Sequence, residues 1–529
     1  MAEVTLEQAI KMAEQFKAQG NPAETERIYR TILDVVPGNV RALNGLGIIV
    51  AEAKRLPEAR EIFQRTVQTD PNFADAWANL SLACEETGEI DRAIDARRKV
   101  LEFQGNFAEH WHRLGVCLSK RGEIKEGIEV LRKSLDLDPF SESIRHDLVF
   151  ALSKDNQEDA AVEVMFDPIL PKPMGPKTVK AVADTMKMRG RFHDATEVWA
   201  RSLLADPTSA ETRGQWAMCL ITEGDYERGW REYEARWLCD TFESNIRMDP
   251  SRQWGIPPVG SPDVAGKTIL IYPEQGLGDV IQFIRYASIL TRRGARVIVQ
   301  TPWPLQTLLE SCTGVRLVYG RKDKLPGYDW HIPVMSLPLV MGTTLQTIPA
   351  EVPYLKADPA RSRTWLERVQ KATPPGSRLR VGLAWAGNPK HKNDANRSID
   401  PKLLSALSQG QGVAFFSLQK SNENEKAEVM PPGLRITDFA SSLCDFAETA
   451  AMIEHLDLVI TADTAVAHLA GALAKKVWTL LPFVPDFRWG LTGSTTPWYP
   501  TMRLFRQEAY GDWQGVIAKV FEALNSHVQ

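Results

Sequence analysis

Five prolines lay a ruler along the first half of the chain. Pro37, Pro71, Pro139, Pro173 and Pro207 stand 34 residues apart or twice that, and the missing mark falls on Gly105, another residue that stops helices. Other positions keep the same step: Leu46-Gly47, Leu80-Ser81 and Leu114-Gly115, the pair Trp77 and Trp111, and a small residue at Ala59, Ala93, Gly127, Ala161, Ala195 and Gly229. A period of this length means one helix-turn-helix unit copied in series, each copy burying its apolar face against its neighbours. The small residues fall where two helices must approach closely. About seven units fit from near residue 4 to residue 241, so residues 1–241 are expected to form an all-α array.

The pattern W-x2-L-G, with A-x3-F (Ala59 to Phe63) and a closing proline, resembles tetratricopeptide repeats. That resemblance implies a superhelix with a concave groove, a surface that takes an extended peptide or another protein; a spacer or dimerisation arm is the plainer alternative. Asn44, Asn79 and Arg113 lie on first helices and are expected to face the groove. Asp136-Leu137-Asp138 closes a repeat helix and reads as a solvated turn rather than a metal site.

Composition narrows the function classes. A chain of 529 residues exceeds one hydrophobic core, so two or three domains are expected. With 25% charged residues and a net charge of −4, no general attraction to nucleic acid or anionic lipid is expected. Met1-Ala2-Glu3-Val4 lacks the basic-then-apolar order of a secretion signal, and no apolar run approaches the roughly 18 residues of a membrane span. Cys84, Cys117, Cys219, Cys239, Cys312 and Cys444 are scattered without a CxxC pair, which argues for a reducing compartment and against a disulfide framework or structural zinc. The expected location is the cytoplasm.

Residues 242–266, rich in Pro and Gly and without period, read as a linker. Beyond them strands and helices alternate: strand 268–273, helix 279–292, strand 296–300, helix 303–312, and strands 315–319 and 330–334. After a break at 357–378 the alternation restarts with "LRVGLAWAG" (379–387), "VAFFSLQ" (413–419), "DLVITAD" (457–463) and "KVWTLLP" (476–482). The pattern predicts two doubly wound α/β lobes, 267–375 and 376–529, with ligands at the carboxyl ends of parallel strands.

Three motifs fall at such ends. In "YPEQGLGDVIQ", Gly276 and Gly278 let backbone approach a partner, and Asp279 is either a first-turn acid on the helix dipole or a general base. Dinucleotide binding through GxGxxG is a poor match, because the third glycine is absent. In "GLAWAGNPKHKNDANRSI", Asn388 opens a loop carrying Lys390, His391, Lys392 and Arg397, cations suited to a phosphate-bearing leaving group, with Arg397 preferred for bidentate contact. In "TADTAVAHLAGALAKKVW", a strand stops at Asp463-Thr464 and a helix of small residues begins; the amides of 464–467 are expected to hold a diphosphate, with His468 one turn in. No D-x-D falls at a strand end of this half, so no metal cage and no cofactor are expected.

Together G-L-G-D, G-N-P-x-H-x-x-D-x-x-R-S and D-T-A-V-A-H-L-A-G-A-L resemble heptosyltransferase-type glycosyltransferases of the two-lobed GT-B fold. They resemble in particular the bacterial fusions of these enzymes to tetratricopeptide repeats, among them flagellin glycosyltransferases. The resemblance implies Asp279 as catalytic base. It implies Asp463, Thr464 and His468 as contacts to the donor nucleotide's phosphates and sugar, and Arg397 or Lys392 at the leaving group. It further implies an inverting, metal-independent transfer from a nucleotide sugar to Ser or Thr of a protein held by the repeats, with flagellin one candidate acceptor. The donor stays open between a CMP-linked nonulosonic acid and ADP-heptose. Two rivals remain: a non-catalytic repeat scaffold with a degenerate transferase domain, and a glycolipid heptosyltransferase. The layout is also that of a eukaryotic O-GlcNAc transferase, whose repeats are followed by different motifs.

Overall fold

In the computed structural model, which describes residues 5–169, 174–239, 248–255, 262–420 and 429–528, marks of the 34-residue ruler sit just past helix ends. Pro37, Pro71, Pro139 and Pro207 follow helices Pro22–Val35, Leu56–Thr69, Ile124–Leu137 and Phe192–Ala205, while Gly105 caps Ile90–Gln104. Pro173, like residues 1–4, lies outside the described residues.

At four of the marks the carbonyl has lost its helical partner and a side chain six positions on supplies one, whereas Pro37 O accepts from Arg65 of the next unit. Trp77 Nε1 donates to Pro71 O (2.8 Å), Trp111 Nε1 to Gly105 O (2.7 Å), Arg145 Nη2 to Pro139 O (2.6 Å) and Arg213 Nη2 to Pro207 O (2.8 Å). Seven helix-turn-helix pairs among the described residues run from Leu6–Ala18 with Pro22–Val35 to Ala210–Glu223 with Tyr226–Tyr233. Ala59, Ala93, Ala161 and Ala195 are fully buried, as their spacing demands.

The chain divides into two compact units, Met1–Thr185 and Met186–Gln529. The first is helical, with a continuous core through Leu46, Phe63, Leu80 and Leu114. Asn79 Nδ2 bonds Asn44 Oδ1 at 3.0 Å between successive first helices, and His112 Nε2 meets Asp147 Oδ2 at 2.7 Å two steps further on. Arg113, on the same face, pairs with Glu109 at 2.6 Å.

The second unit begins with the last repeat helices and continues into two sheets. The N-terminal lobe holds β1 (Thr268–Tyr272), β2 (Arg296–Thr301), β3 (Val315–Gly320) and β4 (Trp330–Pro333), all parallel in the order β3-β2-β1-β4. The C-terminal lobe holds β5 (Leu379–Ala384), β6 (Val413–Ser417), β7 (Ile436–Asp438), β8 (Leu458–Ala462), β9 (Val477–Leu481), β10 (Thr495–Thr496) and β11 (Tyr499–Arg506). Their order is β10-β11-β9-β8-β5-β6-β7, parallel except for β10 against β11. β8 and β9 are buried along their whole length, which is why they read as apolar runs broken only by Thr461 and Thr479. These are the two doubly wound lobes of a GT-B fold.

Three expectations are corrected. The helix expected over 279–292 is two, Leu277–Phe283 and Tyr286–Arg292. Side chains take the carbonyls that would continue the first: Tyr354 Oη donates to Ile281 O (2.9 Å) and Arg285 Nε to Gln282 O (2.7 Å). The helix expected over 303–312 is a 3-10 turn, Trp303–Leu305, and a short helix, Gln306–Glu310. The segment expected as a linker, 242–266, is anchored into the lobe at several of its described residues, with 242–247 and 256–261 outside the described residues. Gln253 bridges His331 of β4, and Trp254 and Val264 are each 2% exposed in the lobe's core.

Candidate active site at the seam between the lobes

β1, β5, β8 and β9 all deliver their carboxyl ends to one place. After β1 the chain turns through Gly276 into helix Leu277–Phe283, and Asp279 Oδ2 accepts the Gly276 N–H at 2.8 Å. The first-turn role foreseen for Asp279 is therefore filled by one of its oxygens. Its other oxygen, Oδ1, pairs with Nη2 of Arg488, and the residue is 8% exposed.

Across from this turn, β8 is followed by Asp463 and Thr464, and Thr464 caps helix Ala465–Ala472. Its hydroxyl accepts the Val466 N–H (3.3 Å) and its carbonyl accepts the Ala467 N–H (3.0 Å). Two of the four amides expected to hold a diphosphate are thus already engaged, a correction to the helix-start reading. His468 projects from the same helix beneath the glycine turn. A Cβ on Gly278 would stand 3.0 Å from His468 Cδ2 and 3.6 Å from Ala465 Cα. Glycine here lets the turn of one lobe sit on the helix of the other.

His468 is 4% exposed, its Nδ1 3.0 Å from Tyr499 Oη and its ring stacked on Trp489 at 5.3 Å. Burial pushes its pKa down to about 3, with the Arg285 charge adding to the effect, so the imidazole is neutral. In the tautomer where Nδ1 accepts from Tyr499, Nε2 carries the proton and is the donor toward an incoming oxygen. Arg285 anchors this layer: Nη1 donates to Trp498 O (2.7 Å) and Pro349 O (3.0 Å), and Nη2 to Tyr354 Oη (3.0 Å).

After β5, the loop of the second motif splits its residues. Arg397 turns inward, Nη1 to Asp463 O and Nε to Asp394 Oδ1, each at 3.3 Å. It passes so close to Gly387 that a Cβ there would meet Nη2 at 2.5 Å. Asn388 and Lys392 are exposed, and the hydrogen bonds of Asn388 close the loop on itself, to Lys390 N (3.0 Å) and His391 N (2.9 Å). The structure brings Asp279, Gly276, Gly278, Arg397, Asp463, Thr464 and His468 to the seam and leaves Asn388 and Lys392 at its rim.

The loop after β9, "PDFRWG" (485–490), escaped the sequence reading although it obeys the same strand-end rule. It supplies Asp486, Arg488 and Trp489. Burial raises the Asp463 carboxyl above its usual range, opposed by Trp489 and Arg397, and raises Asp486 further because Asp463 stands beside it. Burial also brings the Arg488 guanidinium down to about 10, while Tyr233, Tyr499 and Tyr226 pull it the other way. Among the described residues no group of three or more His, Cys, Asp and Glu side chains is placed to hold a metal ion. No described helix is long and apolar enough to cross a membrane.

A neutral imidazole donor, a guanidinium and a carboxylate converging on parallel strand ends are suited to a phosphorylated ligand beside a hydroxyl. The comparisons agree with that class. Residues 401–506 match Glycosyltransferase family 9 (heptosyltransferase), a span that includes Asp463, Thr464, His468 and Arg488. Residues 16–80, 74–107 and 108–141 match tetratricopeptide repeats. The chain therefore joins tetratricopeptide repeats to a heptosyltransferase-like domain. It is similar to Protein FlbA of Caulobacter vibrioides (strain ATCC 19089 / CIP 103742 / CB 15), 24% identical over 334 residues, covering 58% of this chain and 54% of that protein. The chain thus spans about half the length of that relative. Among solved structures, MamA 41-end from Desulfovibrio magneticus RS-1 is 19% identical, with a TM-score of 0.29 over 30% of this chain and 91% of that one. YrrB, described as a tetratricopeptide-repeat protein with an unusual peptide-binding site, is 14% identical, with a TM-score of 0.29 over 35% and 95%.

Proposed function

We propose that the chain is an inverting glycosyltransferase that moves a sugar from a nucleotide sugar, without a metal ion, to a Ser or Thr hydroxyl of a protein held by the repeats. The observation that carries this reading is the packing of the Gly278-Asp279 turn on the His468 helix, which brings a carboxylate and an imidazole to one seam. The acceptor oxygen attacks the anomeric carbon and Asp279 takes its proton. The bond to the phosphate oxygen breaks and leaves its electron pair there, where Arg397 and His468 Nε2–H meet the charge. Such preorganised donors are each worth about 3 kcal/mol in a site closed to water.

The test is a thermal-shift series with ADP, UDP, GDP and CMP, since a ligand that binds only the folded chain must raise its Tm. One nucleotide is expected to stand out, and a sugar attached to it should then be transferred in the presence of EDTA. No shift with any of the four would overturn the reading. Transfer that returns only with added Mn²⁺ or Mg²⁺ would overturn its metal independence.

A further inference from the structure

Arg488 stands on the C-terminal lobe, yet it spends its guanidinium largely on the N-terminal lobe. Nη2 pairs with Asp279 Oδ1, and Nε donates to Gln282 Oε1 at 2.6 Å. Nη1 bonds Asp486 Oδ1 at 2.7 Å, next to its own turn, and the guanidinium lies 4.3 Å over the Phe487 ring. Gln282 is fully buried, and its Nε2 finds no hydrogen-bond partner among the described residues. A buried amide left half-satisfied costs about 1–3 kcal/mol, so a leucine of similar volume would serve packing better. What Gln282 offers that leucine lacks is the one acceptor aimed at Arg488 Nε.

We infer that Arg488, aimed by Gln282, is a positioning residue that holds the Asp279 carboxylate ionised and turned toward the acceptor side of the seam. The inference rests on Asp279 being the base of the proposed reaction. A carboxylate this deeply buried would take up a proton without a cation beside it, and a protonated acid cannot accept one from a hydroxyl. Fixing Oδ1 on Arg488 and Oδ2 on the Gly276 N–H leaves each oxygen one further lone pair, in a plane set by both lobes. The base is therefore assembled only where the C-terminal lobe's β9 loop meets the N-terminal lobe's glycine turn.

Other charges act on the same groups. Asp486, Tyr226, Tyr233 and Tyr499 face Arg488. Asp463 and Arg397 stand behind Asp486, and neutral His468 with Arg285 lies under the Gly278 turn. None of these is placed to replace the Arg488 pair on Asp279.

The experiment titrates the full chain carrying ¹³C-carboxyl aspartate, with the Asp279 resonance identified by its loss in Asp279→Asn. Arg488→Met should raise the Asp279 midpoint by about one pH unit or more, the usual size of a lost opposite charge. Arg488→Lys should return part of that shift. Gln282→Leu, which keeps the charge but removes its aim, should raise the midpoint by less than Arg488→Met. If Arg488→Met does not fold, the Lys and Gln282→Leu variants carry the test with the same sign. Midpoints equal to wild type in the folded Arg488 variants would overturn the inference. Failure of the underlying reading looks different: Asp279→Asn would keep transferring sugar, whatever the titration shows.

Discussion

Asp279 holds a helix start with one oxygen and an arginine with the other, so replacing it must separate its structural duty from its chemical one. Asp279→Asn keeps an acceptor for the Gly276 N–H but loses the charge and sets its NH2 against Arg488 Nη2. It is expected to abolish transfer while nucleotide affinity stays within about a few-fold, a change below 1 kcal/mol; near-normal turnover would remove Asp279 from the mechanism. His468→Ala should do the reverse and weaken nucleotide binding by about 1–3 kcal/mol, measured by calorimetry. Unchanged affinity would leave His468 a packing residue against Trp489. The titrations separate as well. Because folding lowers the His468 pKa from 6.5 to about 3, its contribution to stability is complete above 6.5 and is lost as pH falls toward 3. Asp463 and Asp486 are raised, so theirs is complete below the ordinary carboxylate range and is lost as pH rises through the folded values. Between about pH 4 and 6, Asp463→Asn should therefore flatten the fall in Tm of the nucleotide-free protein. A fall as steep as that of wild type would count against a strained carboxylate at this place.

Within the helices, the carbonyl freed at each ruler mark shows what a sequence displays and what it hides. Trp77 and Trp111 were legible as a 34-residue echo, while Arg145 and Arg213, which do the same work, were not. Any long donor can reach that carbonyl, so the task repeats and the residue does not. Prolines and buried alanines stay visible because few residues can replace them at a helix stop or a close approach. The seam follows the same logic. Asp279, Thr464 and His468 stood out because each lies in a local glycine-rich or small-residue motif beside a strand end. Arg488 had no such frame, and its partner lies 209 residues away in the chain. β11 was missed because Pro500 interrupts its start, before the paired stretch Met502–Arg506. Arg145 offers a test at this scale: it is 2% exposed and bonds Pro139 O, Val164 O (3.2 Å) and Asp167 (3.3 Å). Arg145→Ala should destabilise the repeat unit by about 1–3 kcal/mol, since it strands the Pro139 and Val164 carbonyls while the 38% exposed Asp167 side chain stays solvated. A shift in urea midpoint no larger than that of Arg113→Ala, an exposed neighbour on the same array, would refute the shared role.

At the level of the whole chain, the last repeat belongs physically to the transferase half, and that decides where the protein can be cut. Tyr226 Oη accepts from Trp498 Nε1 (3.2 Å), Trp230 meets Phe283 and Phe487 edge-on at 5.9 and 5.7 Å, and Tyr233 Oη accepts from Gln275 Nε2 (2.7 Å). Arg236 grips Glu274, whose side chain is fully buried, at 2.7 and 2.9 Å. A fragment starting near residue 250 leaves that carboxylate buried without its cation, a loss of about 3–5 kcal/mol before any apolar surface is counted. Domains hold only about 5–15 kcal/mol in all. The 250–529 fragment is therefore expected to melt without a cooperative transition, whereas 186–529, which keeps the compact unit whole, should melt cooperatively and bind the same nucleotide as the full chain. Equal melting of the two fragments would show that the last repeat is dispensable to the fold. The 186–529 fragment then tests what the remaining repeats do. If they recruit the acceptor, it should lose most protein modification at limiting acceptor and regain it at high acceptor, because tethering supplies an effective concentration of about millimolar. A folded 186–529 fragment that modifies the acceptor as efficiently as the full chain at limiting concentration would leave the first repeats without a part in recruitment.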